Sequence, residues 1–244
     1  THLRDLGEHP LKDLIQPEHI YQAETPELPT DFPPLKTVKS RPQNLPIPTT
    51  PFVGREDELA KIQTLMEDPE CRLISLVGLG GSGKTRLSIQ AAVNTREFED
   101  GVFFIALAAT QSLDGVIAAV AEAAHVPFYV QPNAHLAREA AQAQVFNYLS
   151  GKEILLVFDN CEHLLADRES GFTELVAELL ATVPSVKVIA TSRERLNLPG
   201  EWVLNVAGLS FPNGDETRDV PTYAAVQLFV KSAERAGPFV MKPS

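Results

Sequence analysis

A chain of 244 residues, 44% hydrophobic and 22% charged, has enough apolar side chains for a substantial core and fits one large or two small domains. Its formal net charge of −11 sets most of the surface against nucleic acid and anionic lipid, so neither direct nucleic-acid contact by this segment nor membrane association is expected. Cys71 and Cys161 lie far apart, and no signal-like or membrane-length apolar run occurs, which points to reducing cytoplasm and buried thiols. The six histidines lack zinc-ligand spacing.

Residues 1–25 set Leu3, Leu6, Leu11, Leu14, Ile15, Ile20 and Tyr21 among charges, a pattern of one or two short strands. They form either an N-terminal arm packed on the main domain or the end of a preceding domain. Prolines then recur from Pro26 to Pro51, each fixing φ and removing a backbone donor, so residues 26–50 are expected to be an extended linker. The main domain is expected over 51–211. It opens with Phe52-Val53-Gly54-Arg55-Glu56, ahead of a helix with Leu59, Ile62, Leu65 and Met66 on one face and acids in its first turn. The apolar residues before that helix either line an adenine pocket, with Gly54 allowing close approach, or form a turn that opens the domain.

The stretch Arg72 to Val93 reads strand, tight loop, helix. Its loop, Gly78-Leu79-Gly80-Gly81-Ser82-Gly83-Lys84-Thr85, satisfies G-x-x-x-x-G-K-[ST]. Glycines that take positive φ turn consecutive N–H groups inward around a phosphate, at a helix start where unpaired donors and the dipole attract anions. Lys84 adds a point charge for β- and γ-phosphates, and Thr85 offers a hydroxyl to Mg²⁺; Arg86 follows directly. The expected ligands are ATP or ADP with Mg²⁺.

Next come a strand over Gly101–Leu107, alanine-rich helices over Leu113–Val126 and Leu136–Leu149, and a strand over Glu153–Asp159. A helix over Phe172–Leu180 follows, then strands over Val186–Thr191 and Trp202–Val206. Alternating β and α segments predict an α/β fold, a parallel sheet covered on both faces. Residues 212–244 combine a turn-rich connection, Pro212 to Pro221, with a helix over Tyr223–Ala233. Its stripe of Val226, Phe229, Val230 and Ala233 suits the first part of a helical domain.

Asp159 ends a run of five apolar residues, so its carboxylate emerges at the C-terminal sheet edge where it can hold Mg²⁺ directly or through water. Asn160 follows where many hydrolytic P-loop proteins carry a second acid; an amide can orient water but cannot take its proton. Glu162 is the nearest carboxylate and faces either the nucleotide or solvent, while His163 suits a capping or packing role. Arg193, at the tip of the following strand, either reads the γ-phosphate through its planar fork or pairs with Glu194 or Glu201; Arg195 competes for the same role.

Taken together, P-F-V-G-R-E, G-L-G-G-S-G-K-T-R, L-L-V-F-D-N-C-E-H-L, I-A-T-S-R-E-R-L and A-A-V-Q-L-F, in this order over about residues 46–236, resemble the NB-ARC-like nucleotide-binding domain of STAND signalling ATPases, of the type found in bacterial transcription regulators. The resemblance implies an additional-strand P-loop NTPase core of five parallel strands in order 2-3-4-1-5, with Arg193 as the γ-phosphate sensor. It also implies that Phe52, Val53 and Arg55 contact adenine and that Pro212 packs near the base, although the segment around Pro212 has fewer prolines than the family pattern. The implied function is a nucleotide switch, ADP holding a closed form and ATP favouring an open, self-associating one, with slow or absent hydrolysis. Residues 1–23 (L-G-E-H-P-L-K-D-L, then Ile20-Tyr21-Gln22) resemble the last strands of a class III nucleotide cyclase domain without its catalytic residues. Three rivals remain. A ring-forming AAA+ ATPase needs room for a helix presenting an arginine finger between the last two strands. A small-molecule P-loop kinase wants an arginine-rich lid and an acceptor pocket. A pure interaction module would have lost Lys84, Thr85 and Asp159.

Overall fold

In the computed structural model, which describes residues 2–9, 18–24, 41–95, 97–127, 134–167, 170–212 and 220–237, the chain divides into two units, residues 1–41 and residues 42–244. In the first, β1 (His2–His9) and β2 (Glu18–Glu24) pair antiparallel, with a register shift between Asp5 and Gly7. His19 stacks on Tyr21 and holds Asp5 Oδ1 at 2.7 Å. The expected proline linker lies, over residues 26–40, outside the described residues.

The second unit runs α1 (Glu56–Glu67), β3 (Leu73–Val77), α2 (Lys84–Asn94), β4 (Gly101–Ala106), α3 (Leu113–Ala123), α4 (Ala134–Leu149), β5 (Ile154–Asp159), α5 (Glu162–Ala166), α6 (Phe172–Thr182), β6 (Val186–Ser192), β7 (Glu201–Asn205) and α7 (Ala224–Ala236). All five strands of its sheet are parallel and lie in the order β4-β5-β6-β3-β7. With β3 counted first, this is the expected order 2-3-4-1-5 of a P-loop NTPase core.

Burial explains why these strands are apolar throughout. Along β5, Ile154, Leu156 and Phe158 point to one face and Leu155 and Val157 to the other, and none is more than 1% exposed. Each such side chain contributes about 1.5–3 kcal/mol relative to exposure. One face packs against α3, α4 and α6 through Val116, Val145 and Val176; the other packs against α1 and α2 through Ile62, Met66 and Leu87. The two-sided cover expected of every strand fails at the edge, where Trp202 and Val203 of β7 are 44% and 41% exposed.

Element ends differ from the expected ones for local reasons. Helix α3 starts at the Ser112 cap, whose Oγ accepts from Gly115 N, and stops at Ala123 rather than Val126 because His125 turns left-handed at φ 52°. Helix α4 begins two residues earlier than its periodicity indicates. The one-turn helix α5 was not anticipated; it follows directly from the left-handed turn at Asn160, φ 65°. The turn-rich connection after Pro212 lies, over 213–219, outside the described residues. Among the described residues no helix is long and apolar enough to cross a membrane.

Candidate functional site

Parallel strands end at one edge, and the order of this sheet brings the ends of β3, β5 and β6 side by side there. Leu76 pairs with Thr191, and Phe158 pairs with Ala190, so the next residue, Asp159, stands beside Thr191 with the loop after β3 on the other side. The edge is the place where an open parallel sheet takes a ligand.

The loop from Gly78 to Thr85 leaves β3 under tight constraint. A side chain at Gly78 would place its Cβ 2.3 Å from Val206 O, so only glycine lets the loop pass the end of β7. Gly83 precedes α2 at φ 92°, a conformation open to glycine at little cost, and space remains around it. Lys84, 8% exposed, donates from Nζ to Gly78 O at 2.9 Å and Leu79 O at 3.1 Å, so its ammonium lies across the loop mouth. A phosphate seated on the Gly80–Thr85 N–H groups would meet that ammonium directly.

Asp159 faces the loop across a short polar bridge. Thr85 Oγ1 donates to Asp159 Oδ1 at 2.7 Å, and Thr191 Oγ1 donates to the same oxygen at 2.6 Å. Thr191 also accepts from Asn160 N at 3.0 Å, and Cys161 N donates to Thr191 O at 3.0 Å, which joins the tips of β5 and β6. Among the described residues there is no cluster of three metal-ligating side chains. One hydroxyl and one carboxylate nevertheless suit Mg²⁺, which keeps several waters and takes the rest of its octahedron from phosphate oxygens. Residues Lys84, Thr85 and Asp159 fit a Mg²⁺-nucleotide tail.

Glu162, Asn160 and Arg193 converge on the open side of this bridge. Arg193 Nε lies 3.4 Å from Glu162 Oε1, and a Cβ at Gly80 would be 3.6 Å from Arg193 Nη2. The guanidinium therefore spans from Glu162 to the phosphate loop. Of its expected surface partners, Glu201 is otherwise placed: it accepts from Leu196 N and Leu198 N. Arg195 is exposed. His163 Nε2 lies 2.5 Å from Thr110 O, a hydrogen bond that ties α5 to the residues after β4.

At the segment where adenine contacts are expected, Phe52 and Val53 are half-buried, and Phe52 packs on the core cluster of α1 and α2. A Cβ at Gly54 would meet Ala224 Cβ at 3.0 Å and Leu209 at 3.7 Å, so this segment, the residues after β7 and α7 come together. Arg55, left-handed at φ 72°, donates to Glu58 Oε1 and Ser82 O at 2.7 and 2.9 Å and also to Ala207 O, linking α1, the phosphate loop and the end of β7. Arg86 donates to Thr50 Oγ1 at 2.6 Å and Thr50 O at 2.7 Å. Pro212 is half-buried, next to Phe211, which is 66% exposed.

Sequence reasoning missed Thr191 as a site residue and missed the arginine struts. The signal for Thr191 was present: strand order 2-3-4-1-5 puts a hydroxyl at that position next to Asp159. Nothing in a linear pattern signals that Arg55 reaches Ala207.

The comparisons with known proteins agree with this architecture. The NB-ARC domain family model matches residues 55–196, from Arg55 through the phosphate loop and Asp159 to just past Arg193. A Mycobacterium tuberculosis H37Rv protein provisionally named an HTH-type transcriptional regulator is 35% identical over 167 residues, 68% of this chain and 16% of that protein. An uncharacterised protein of the same strain is 32% identical over 187 residues, 76% of this chain and 42% of that protein. The chain thus spans less than half the length of these relatives. Among solved structures, the Aeropyrum pernix ORC2 protein in ADPNP-ADP complexes matches with TM-score 0.50 at 14% identity, over 78% of this chain and 54% of that one. A STAND protein with a tetratricopeptide repeat sensor from Pyrococcus horikoshii matches with TM-score 0.46 at 17% identity, over 81% of this chain and 27% of that one. The fold seen at this sheet edge and the family match spanning it give one answer: this chain belongs to the NB-ARC family of P-loop nucleotide-binding domains.

Proposed function

We propose that this chain is the ATP- and ADP-binding switch of a STAND-type signalling ATPase, with Mg²⁺ held between Thr85 and Asp159 and with slow or absent hydrolysis. Residues 51–211 are the nucleotide-binding domain in this reading, and 212–244 begin a helical domain. The observation that carries it is the guanidinium of Arg193, poised over Gly80 beside the Thr85–Asp159 bridge, where a third phosphate would extend. A group that touches only the third phosphate supplies the differential affinity a two-state switch requires. Charge-assisted hydrogen bonds of that kind are worth about 1.5–3 kcal/mol, enough to separate ATP from ADP by about tenfold or more.

Adenine recognition is assigned to Phe52, Val53 and the half-buried Pro212, with Arg55 joining that side to the loop. Slow turnover is supported by Asn160, an amide without basic character in the position after Asp159. The mycobacterial relative's name supports an output in transcription, exerted by parts outside this segment. The surface charge disfavours direct nucleic-acid contact by the segment itself. Self-association through the nucleotide-binding domain on ATP binding, in the cytoplasm, completes the proposal. A ring ATPase with an arginine finger is disfavoured because the eight residues 193–200 between β6 and β7 hold no helix to present one.

Calorimetric titration with ADP and with a non-hydrolysable ATP analogue in Mg²⁺ tests this reading. The wild type should prefer the analogue, and Arg193→Ala should narrow that preference about tenfold. Equal weakening for both nucleotides would make Arg193 a general phosphate or structural contact and remove the sensor from the account.

A further inference from the structure

The carboxylate of Glu162 is held from two sides. With the Asn160 amide turned so that its nitrogen faces the carboxylate, as the surrounding donors and acceptors require, that nitrogen lies 2.8 Å from Oε1 and 2.9 Å from Oε2. Arg193 Nε approaches Oε1 at 3.4 Å from the other side. The backbone of Asn160 is itself fixed, left-handed at φ 65° with its N–H on Thr191 Oγ1. A continuous polar chain therefore runs from Thr191 through Asn160 and Glu162 to Arg193.

We infer that Asn160 and Glu162 are positioning residues that hold the Arg193 guanidinium over the phosphate loop, and that neither serves as the base or water-orienting group of hydrolysis. The planar fork supports this division. Its Nε edge is turned to Glu162, which leaves the two terminal nitrogens for phosphate oxygens, and Nη2 already lies at Gly80. A general base needs a lone pair aimed at a water. Both Glu162 oxygens face the Asn160 amide, and Oε1 also meets Arg193 Nε. Without its anchor, the exposed arginine would sample many rotamers and lose the geometry that reads a third phosphate.

This inference rests on the reading of Arg193 as the γ-phosphate contact, and the test separates the two. The readout is the ratio of affinities for a non-hydrolysable ATP analogue and ADP, measured in Mg²⁺ by titration calorimetry on the 244-residue chain. Glu162→Ala should narrow the ratio to the level of Arg193→Ala, about tenfold, and the double variant should narrow it no further. Glu162→Gln, which keeps an acceptor for Nε but cannot take a proton, should retain most of the wild-type ratio. Should Glu162→Ala prove too unstable to titrate, Asn160→Gly takes its place with the same expectation, since glycine tolerates the left-handed turn. A wild-type ratio in Glu162→Ala, or losses that multiply in the double variant, would overturn the inference while leaving Arg193 as sensor. No effect of Arg193→Ala on the ratio would overturn both.

Discussion

Thr191 Oγ1 gives its hydrogen to Asp159 and takes one from Asn160 N, so a residue 1% exposed joins the Asp159 carboxylate to the residues that flank Arg193. Valine has the same shape and neither capacity. Thr191→Val should orphan the Asn160 N–H and remove one of two donors from Asp159, costing about 1–3 kcal/mol. Urea unfolding followed by circular dichroism should show the lower midpoint, and Thr191→Ser should restore most of it. An unchanged midpoint in Thr191→Val would mean that water replaces the hydroxyl without loss. The residues that meet at the candidate site were legible where they belong to a local pattern, as Lys84 and Thr85 do. Thr191 needs strand order as well as sequence, and Arg55 needs the full three-dimensional path, because its partners Ser82 and Ala207 are backbone carbonyls with no sequence signature.

At the scale of elements, alternation and apolar runs specify β3 to β6 and the helices on either face, since strands buried on both sides admit few polar residues. What they do not specify is how the helix ends are satisfied. Arg72, just before β3, donates to Leu180 O and Val183 O at 2.5 Å and to Val186 O at 3.0 Å, closing the carbonyl end of α6 against β6. Burial lowers its pKa from the ordinary arginine value. In sequence the same arginine reads only as the first residue of the strand. Arg72→Met should lower stability by about 1–3 kcal/mol for each carbonyl left without a donor, read as a shift in denaturation midpoint. Because Arg72 sits at the end of β3 opposite the phosphate loop, the folded variant should retain ADP affinity. A loss of affinity with unchanged stability would contradict this division between the two ends of the sheet.

For the whole molecule, the two thiols report on opposite faces of the sheet. Cys71 belongs to the cluster with α1 and α2, and Cys161 to the cluster with α3, α4 and α6. Burial pushes the Cys71 thiol up to about 11; burial and the charges of Asp159 and Glu162 push Cys161 higher still. Thiol reagents attack the thiolate, so at pH 8 both groups are protonated in the folded chain and become reactive only when unfolding restores their ordinary pKa of about 8.5. Labelling with a chromogenic disulfide should therefore track unfolding at both positions, and saturating Mg²⁺-ADP should slow it further. Fast labelling of Cys161 alone would reveal a sheet edge that opens locally.

The melting temperature measures most directly whether an adenine nucleotide is seated at the loop between Gly78 and Thr85. With Mg²⁺ and ADP or ATP at a hundred times Kd, native-state binding adds about 2.7 kcal/mol. That corresponds to a rise of about 5–10 °C for a domain of this size. Lys84→Ala should abolish the rise while melting as a folded protein. No rise in the wild type, or an equal rise in Lys84→Ala, would contradict the placement of the nucleotide at this loop.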